Sequence, residues 1–250
     1  MDPFSLASHA ALVTGSSQGI GLALALGIQQ AGARVVFHGK DTPPPTLPPG
    51  APFLAGDLLA ADGPAHLVTA AFAQEPALDR LVCNAGSFFD RPFLELDAAT
   101  LERTLNLNVR ANYFLVQAFA RELVARRRPG AVVIVSSTNG FQSEADATAY
   151  DTSKGASVMM TRTLAQALAP HGIRVNGVAP GLIRTPLNAW MTESPETVRH
   201  YEKKILLGRI GAPDDCAGAA VFLLSAASRY LTGQIIVVDG GLTTGQIARM

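Results

Sequence analysis

Tyr150 and Lys154 stand four positions apart in "AYDTSKGA", residues 149–156, within a segment of helical period. Positions i and i+4 share one helix face, so a phenol and an ammonium project together. A phenol titrating near 10 is a poor base at neutral pH. A cation about 4 Å away, at an effective dielectric near 20, favours the phenolate by roughly 4 kcal/mol. That brings the group toward the range in which a side chain can trade protons, as base in one direction and acid in the other. Such a pair also arises as an amphipathic phenol beside a solvated lysine, so the neighbours decide. Ser136 and Ser137 end the apolar run "GAVVIVSS" (130–137). A strand-end hydroxyl at Ser137 could donate to the substrate oxygen that the phenol protonates. Asn108 lies among Leu101, Leu105 and Val109, an apolar stripe at helical spacing. A buried amide needs partners: either local backbone, or a water that links Lys154 to solvent.

These groups need a scaffold, and a second constellation says which. "HAALVTG" (9–15) reads as a strand and runs into "TGSSQGIG" (14–21), after which a helix follows to Gly32. Strand, glycine turn, helix is an arrangement that lets backbone N–H groups approach a pyrophosphate at the positive end of the helix. The spacing of Gly15, Gly19 and Gly21 is G-x-x-x-G-x-G. Asp57, in "AGDL" just past a third strand, is placed either to accept from an adenine amino group or to cap a helix. "NAG" (84–86) ends a fourth strand, with Asn84 and Gly86 at the same crevice or in a plain turn.

Strand-length apolar runs recur at 9–15, 33–39, 51–57, 79–86, 130–137, 172–181 and 234–241. Several are near-continuous Val/Ile/Leu runs, as expected of strands covered on both faces. Helices are expected at 19–32, 97–128 (Asp97 as N-cap) and about 149–169. The alternation predicts an α/β fold: a Rossmann-type, doubly wound, seven-stranded parallel sheet with helices on both faces, forming a single domain over residues 1–250. One connection breaks the rule. "KDTPPPTLPPGAP" (40–52) carries prolines at 43, 44, 45, 48, 49 and 52, a density that forbids a helix and predicts a stiff extended linker.

Composition narrows the class. Hydrophobic residues make up 48% and charged residues 16% of 250, with formal net charge +0. A core is easily filled, and nothing draws the chain globally to nucleic acid or an anionic membrane. Arg126, Arg127 and Arg128 end a helix, where cations oppose its dipole. Two cysteines make a disulfide framework improbable. No secretory leader or membrane-length apolar run is present, so a soluble cytoplasmic protein is expected. The histidines show no ligand spacing, and no metal site is expected.

"TGSSQGIG", "NAG", Asn108, Ser137, "YDTSK", "PGLIRT" (180–185) and "VVDGG" follow in the order and spacing of the classical short-chain dehydrogenase/reductase family, which the chain resembles from about residue 9 to 242. The resemblance implies an NAD(P)(H)-dependent oxidoreductase interconverting a secondary alcohol and a ketone. Tyr150 is then the general acid/base. Lys154 lowers its pKa and binds the nicotinamide ribose. Ser137 orients the substrate oxygen, and Asn108 holds a relay water. Gly15, Gly19 and Gly21 line the pyrophosphate, with Ser17, Gln18 and Ile20 of the same loop in the cofactor set. Asp57 and its neighbour Leu58 belong to the adenine side, and Asn84, Ala85 and Gly86 to the adenosine side. Pro180, Gly181, Ile183 and Thr185 border the nicotinamide. A homotetramer is implied, with the helices 97–128 and 149–169 packing across subunits. A rival of another class is a dinucleotide-binding sensor or scaffold without turnover; the intact set Asn108, Ser137, Tyr150 and Lys154 argues against it.

Two departures matter. The proline linker replaces a family helix. The second strand ends "FHGK", with Gly39 where NAD-preferring relatives carry an acid that bonds the ribose and repels a 2′-phosphate. Lys40, and with it His38, favours NADP(H) over NAD(H); the other reading is a solvated lysine and NAD(H) held by backbone. For the substrate, Ser137, Tyr150, Asn139, Gln142, Glu144 and Trp190 are candidates, with 187–205 as a lid. Polar residues facing an aromatic lid suit a sugar or polyol, or else they face solvent or a neighbouring subunit.

Overall fold

The computed structural model describes residues 2–89, 91–192 and 194–245, without the side chains of 190–192. Seven strands form one sheet: β1 (Ala10–Val13), β2 (Arg34–Gly39), β3 (Phe53–Ala55), β4 (Arg80–Cys83), β5 (Gly130–Val135), β6 (Ile173–Pro180) and β7 (Ile235–Val238). Every expected strand is present, trimmed at its ends. The order is β3-β2-β1-β4-β5-β6-β7 and every pairing is parallel.

Side chains alternate across the pleat. Val132 and Ile134 of β5 join one core, and Ala131, Val133 and Val135 join the other. The first core is closed by α2 (Gly63–Gln74), α4 (Asn112–Ala125) and α5 (Thr148–Leu168) through Phe72, Phe119 and Leu164. The second is closed by α1 (Gly19–Gln30) and α7 (Ala217–Leu224) through Leu24, Ile28 and Leu223. The sequence reading named neither α2 nor α7. α2 is short and opens on Pro64 in its first turn, a placement that proline favours because its missing N–H has no partner there anyway.

The expected helix at 97–128 is two helices run together. Asp97 caps α3 (Ala98–Leu105) by accepting from the Thr100 N–H at 2.7 Å. A π-helical turn, Asn106–Ala111, joins it to α4. The arginine run lies just beyond α4 and is bonded: Arg126 pairs with Glu122 at 3.0 Å, and Arg128 donates to the Pro76 and Ala77 carbonyls. No helix forms over 40–52, but Leu47 and Ala51 tuck against the α1 face of the core. Among the described residues no helix is long and apolar enough to cross a membrane.

Candidate active site

The sheet order reverses beside β1: the chain steps outward to β2 and β3, then returns with β4 against the other edge of β1. Loops leaving β1 and β4 therefore part in opposite directions and open a crevice at the carboxyl ends of the strands. A cleft of about 290 Å³ lies there. Its walls are the glycine loop, the ends of β4, β5 and β6, and one face of α5.

Ser137, Tyr150 and Lys154 all line this cleft. The Lys154 Nζ lies 5.4 Å from the centre of the Tyr150 ring. Lys154 is 6% exposed, and its ammonium donates to the Val135 carbonyl at 3.1 Å. Burial lowers its pKa to about 8, so it stays mostly protonated at neutral pH. Two bonds bolt α5 to the end of β5: that one, and Ser136 Oγ donating to the Lys154 carbonyl at 3.2 Å. Phe88 meets the Tyr150 ring edge-on, with centroids 5.3 Å apart.

Asn108 sits in the π-helical turn and is buried. Its Oδ1 accepts from the Ser87 N–H at 2.9 Å, and its Nδ2 donates to the Ser87 carbonyl at 2.9 Å and to Ser153 Oγ at 3.0 Å. Ser153 Oγ in turn donates to the Tyr150 carbonyl at 2.7 Å. The amide side chain is thus satisfied at both its atoms by protein groups. It clamps the loop after β4 to the turn of α5 that carries Tyr150. A Cβ on Gly86 would stand 3.0 Å from Asn108 Oδ1, so a bare backbone is needed beside the clamp.

The sequence pattern of the family described as enoyl-(acyl carrier protein) reductase matches residues 15–243. An L-rhamnose 1-dehydrogenase (NAD(P)(+)) of Azotobacter vinelandii is 36% identical, covering 92% of this chain and 95% of its own. A 2-dehydro-3-deoxy-D-gluconate 5-dehydrogenase of Dickeya dadantii is 33% identical, over 96% and 98%. Among solved structures, a gluconate 5-dehydrogenase of Burkholderia cenocepacia in complex with NADP and tartrate is 30% identical, with TM-score 0.90, over 98% and 99%. The chain belongs to the short-chain dehydrogenase/reductase family. It is an NAD(P)-dependent oxidoreductase acting on CH–OH and C=O groups.

The glycine loop of this oxidoreductase suits a pyrophosphate. Gly15 and Gly19 have φ of +62° and +56°, a region that favours glycine. A Cβ on Gly21 would run into the Gly15 carbonyl. The first turn of α1 holds no acidic residue and Gln18 makes no side-chain cap, leaving the positive end of the helix for an anion. Gln18, Ile20, Pro180, Gly181, Ile183 and Thr185 line the same cleft. Asn84 lines it too, yet its Nδ2 is committed to the Thr14 and Gly15 carbonyls, both at 3.0 Å. It braces the loop and leaves Ala85 and Gly86 to run past as backbone.

The adenine side corrects one expectation. His38 is buried; Gly15 N–H donates to its Nδ1 at 3.1 Å, and its Nε2 meets the Gly56 carbonyl at 3.1 Å. Burial lowers its pKa. Both ring nitrogens are used, so His38 holds the glycine loop and has no free nitrogen for a phosphate. Lys40 is at the surface and pairs with Asp57 at 3.2 Å. The Asp57 pKa is lowered by the Leu59 N–H, which donates to its Oδ1, and by Lys40. Leu58 is buried in the core. At Gly39 a Cβ would stand 3.0 Å from the tip of the Phe53 ring and 3.2 Å from Ser17, a tight fit that a side chain enters only if Phe53 gives way.

On the substrate side the expected residues turn partly inward on one another. Asn139 Nδ2 donates to Asp151 at 2.7 Å and to Glu144 at 3.2 Å. Gln142 is exposed, and neither it nor Asn139 nor Glu144 lines the cleft. The side chain of Trp190 lies outside the described residues. Ser87 and Val135 also line the cleft, and from the expected lid segment so do Leu187 and Asn188. Asn188 accepts from Thr185 N–H and Oγ1 at 2.8 and 2.9 Å and donates to the Ile183 carbonyl.

Proposed function

We propose that this reductase interconverts a secondary alcohol and a ketone on a small sugar or polyol, with Tyr150 as general acid/base and NADP(H) preferred over NAD(H). The observation that carries this is the convergence of Ser137, Tyr150 and the buried Lys154 on the cleft that the glycine loop borders. The nicotinamide, when bound, supplies or accepts the hydride. The chain supplies the rest. Tyr150 gives its phenolic proton to the ketone oxygen or takes one from the alcohol. The Lys154 charge favours the phenolate, and its remaining N–H groups suit ribose hydroxyls. Ser137 donates to the same substrate oxygen. Gly15, Gly19 and the start of α1 hold the pyrophosphate.

The L-rhamnose and 2-dehydro-3-deoxy-D-gluconate activities of the two relatives support a sugar substrate. Glycine in place of an acid at position 39, with Lys40 beside it, supports NADP(H). Residues 187–205, which include α6 (Pro195–Glu202) and bring Leu187 and Asn188 to the cleft, serve as a lid. We read the protein as a homotetramer: an apolar groove of about 490 Å³ between α4 and α5 leaves Tyr113 and Val124 exposed. Both cysteines are free thiols, which suits a reducing cytoplasm.

The test is a panel of neutral sugars, polyols, sugar acids and acyl thioesters with each dinucleotide, followed by reduced-nicotinamide absorbance. Turnover on a sugar or polyol that vanishes in Tyr150→Phe is the expected result. Turnover confined to acyl thioesters would refute the substrate class. Unaltered turnover in Tyr150→Phe would refute the acid/base assignment.

A further inference from the structure

The loop leaving Ser137 is governed by a carboxylate that the catalytic set does not include. Ser137 Oγ accepts from the Asn139 N–H at 3.1 Å, and its hydroxyl lies 3.5 Å from Asn139 Oδ1. On its other side, the Asn139 amide gives its two hydrogens to Asp151 Oδ1 and Glu144 Oε2, at 2.7 and 3.2 Å. The second Asp151 oxygen accepts the Glu144 N–H at 2.8 Å. An amide whose NH₂ is taken by two carboxylates must turn its carbonyl oxygen to its remaining neighbour, here Ser137. Asp151 follows Tyr150 on α5. One side chain thus ties the phenol's helix to the hydroxyl at the end of β5.

Charge is the second observation. Lys154 is the sole charged side chain among the described residues that line the cleft. Its ammonium is buried against the Val135 carbonyl. Behind the Ser137 loop stand the carboxylates of Asp151 and Glu144, both bonded to Asn139.

We propose that Asp151 is a positioning residue for Ser137, acting through Asn139, and that its charge makes the site select uncharged sugars or polyols over sugar acids. The inference rests on the oxidoreductase reading above. The backbone N–H of Asn139 donates into Ser137 Oγ and polarises its O–H. The long contact to Asn139 Oδ1 holds that hydrogen until a substrate oxygen replaces it. A substrate carboxylate beside this loop meets the negative potential of Asp151 and Glu144, whereas neutral hydroxyls are donors that the potential favours.

The experiment measures kcat and KM for L-rhamnose, a neutral sugar, and D-gluconate, a sugar acid, with NADP⁺. Wild type, Asp151→Asn and Asp151→Ala are compared, and NADPH affinity is followed by fluorescence. Wild type is expected to favour the neutral sugar in kcat/KM by about tenfold or more. Asp151→Asn removes the charge and narrows that ratio several-fold. Asp151→Ala also frees the amide and lowers kcat about tenfold, with NADPH affinity held. Equal use of both substrates by wild type, or an Asp151→Ala enzyme with wild-type kcat, would overturn the inference. So would an Asp151→Asn enzyme with an unchanged ratio, which also serves should Asp151→Ala fail to fold. No turnover of any sugar or polyol by wild type would instead bring down the functional reading beneath it.

Discussion

Beside Tyr150, the side chains that position the chemistry are buried and bonded: Lys154, Asn108 and Ser153 are 6%, 1% and 0% exposed, and each bonds a different element. Past β2 and β3, outside the residues that line the cleft, Lys40 and Asp57 meet with side chains 62% and 40% exposed. Their wall is the proline-rich loop 40–52, where a crossover helix would otherwise stand. Buried polar groups with no spare partner hold a geometry firmly, because any displacement leaves one of them unsatisfied. Exposed pairs hold little and exchange partners readily. The Tyr150 end is therefore rigid, and the Lys40 end, where the proposed choice between dinucleotides falls, is adjustable.

The largest effect belongs at the rigid end. Tyr150→Phe removes the proton donor and leaves the ring against Phe88, so kcat should fall about 10²–10⁴-fold while NADPH titration is little changed. Loss of dinucleotide binding in the same proportion would mean that the phenol holds the cofactor more than it moves a proton. Asn108→Ala comes next. It orphans the Ser87 N–H and carbonyl and a bond to Ser153, so urea unfolding should show a loss of about 2–4 kcal/mol. A variant within about 0.5 kcal/mol of wild type would show that the clamp is not what holds the two segments.

The two ends also differed in how legible they were. The catalytic end was readable because its residues carry rare chemistry at fixed spacing on elements with strong periodicity: Ser137 at the end of an apolar strand, Tyr150 and Lys154 on one helix face. The seven strands were readable for the same reason. The bracing was not. That Asn108 would grip Ser87 depends on a π-helical turn, and that Asn84 would grip Gly15 depends on the approach of two loops; neither contact is local in sequence. His38 misled because a histidine at a strand end beside a lysine has the composition of a phosphate site. Only the fold shows its ring closed in between Gly15 and Gly56.

Lys154 gives the comparison a pH dependence. Its pKa of about 8 lies below the ordinary 10.5 because burial disfavours the charge. Below about 8 both folded and unfolded chains carry the proton, and the full desolvation cost is present. Between about 8 and 10.5 the unfolded chain holds more protons than the folded one, so stability rises with pH across that window. The cofactor-free Lys154→Met protein should then be the more stable one at neutral pH, by on the order of 1–3 kcal/mol. Denaturation curves should show its advantage shrinking toward pH 10. An advantage independent of pH would mean that packing, and not the buried charge, separates the two proteins.

The smallest effect is expected where the structure is most open. An exposed ion pair is worth about 0–1 kcal/mol, so Lys40 can leave Asp57 for a 2′-phosphate at little cost. Lys40→Ala should weaken NADPH several-fold, about 1 kcal/mol, and leave NADH nearly unchanged. Added salt should shrink the wild-type preference toward that of the variant, since both groups are in reach of counterions. Asp57→Asn acts with the opposite sign on the same balance: it frees Lys40 and removes a negative neighbour, so NADPH affinity should rise slightly or hold. If it falls instead, and NADH falls with it, Asp57 is bonding the adenine that both dinucleotides share. In that case the pair with Lys40 is a resting contact, and this wall grips the base more than it selects the phosphate.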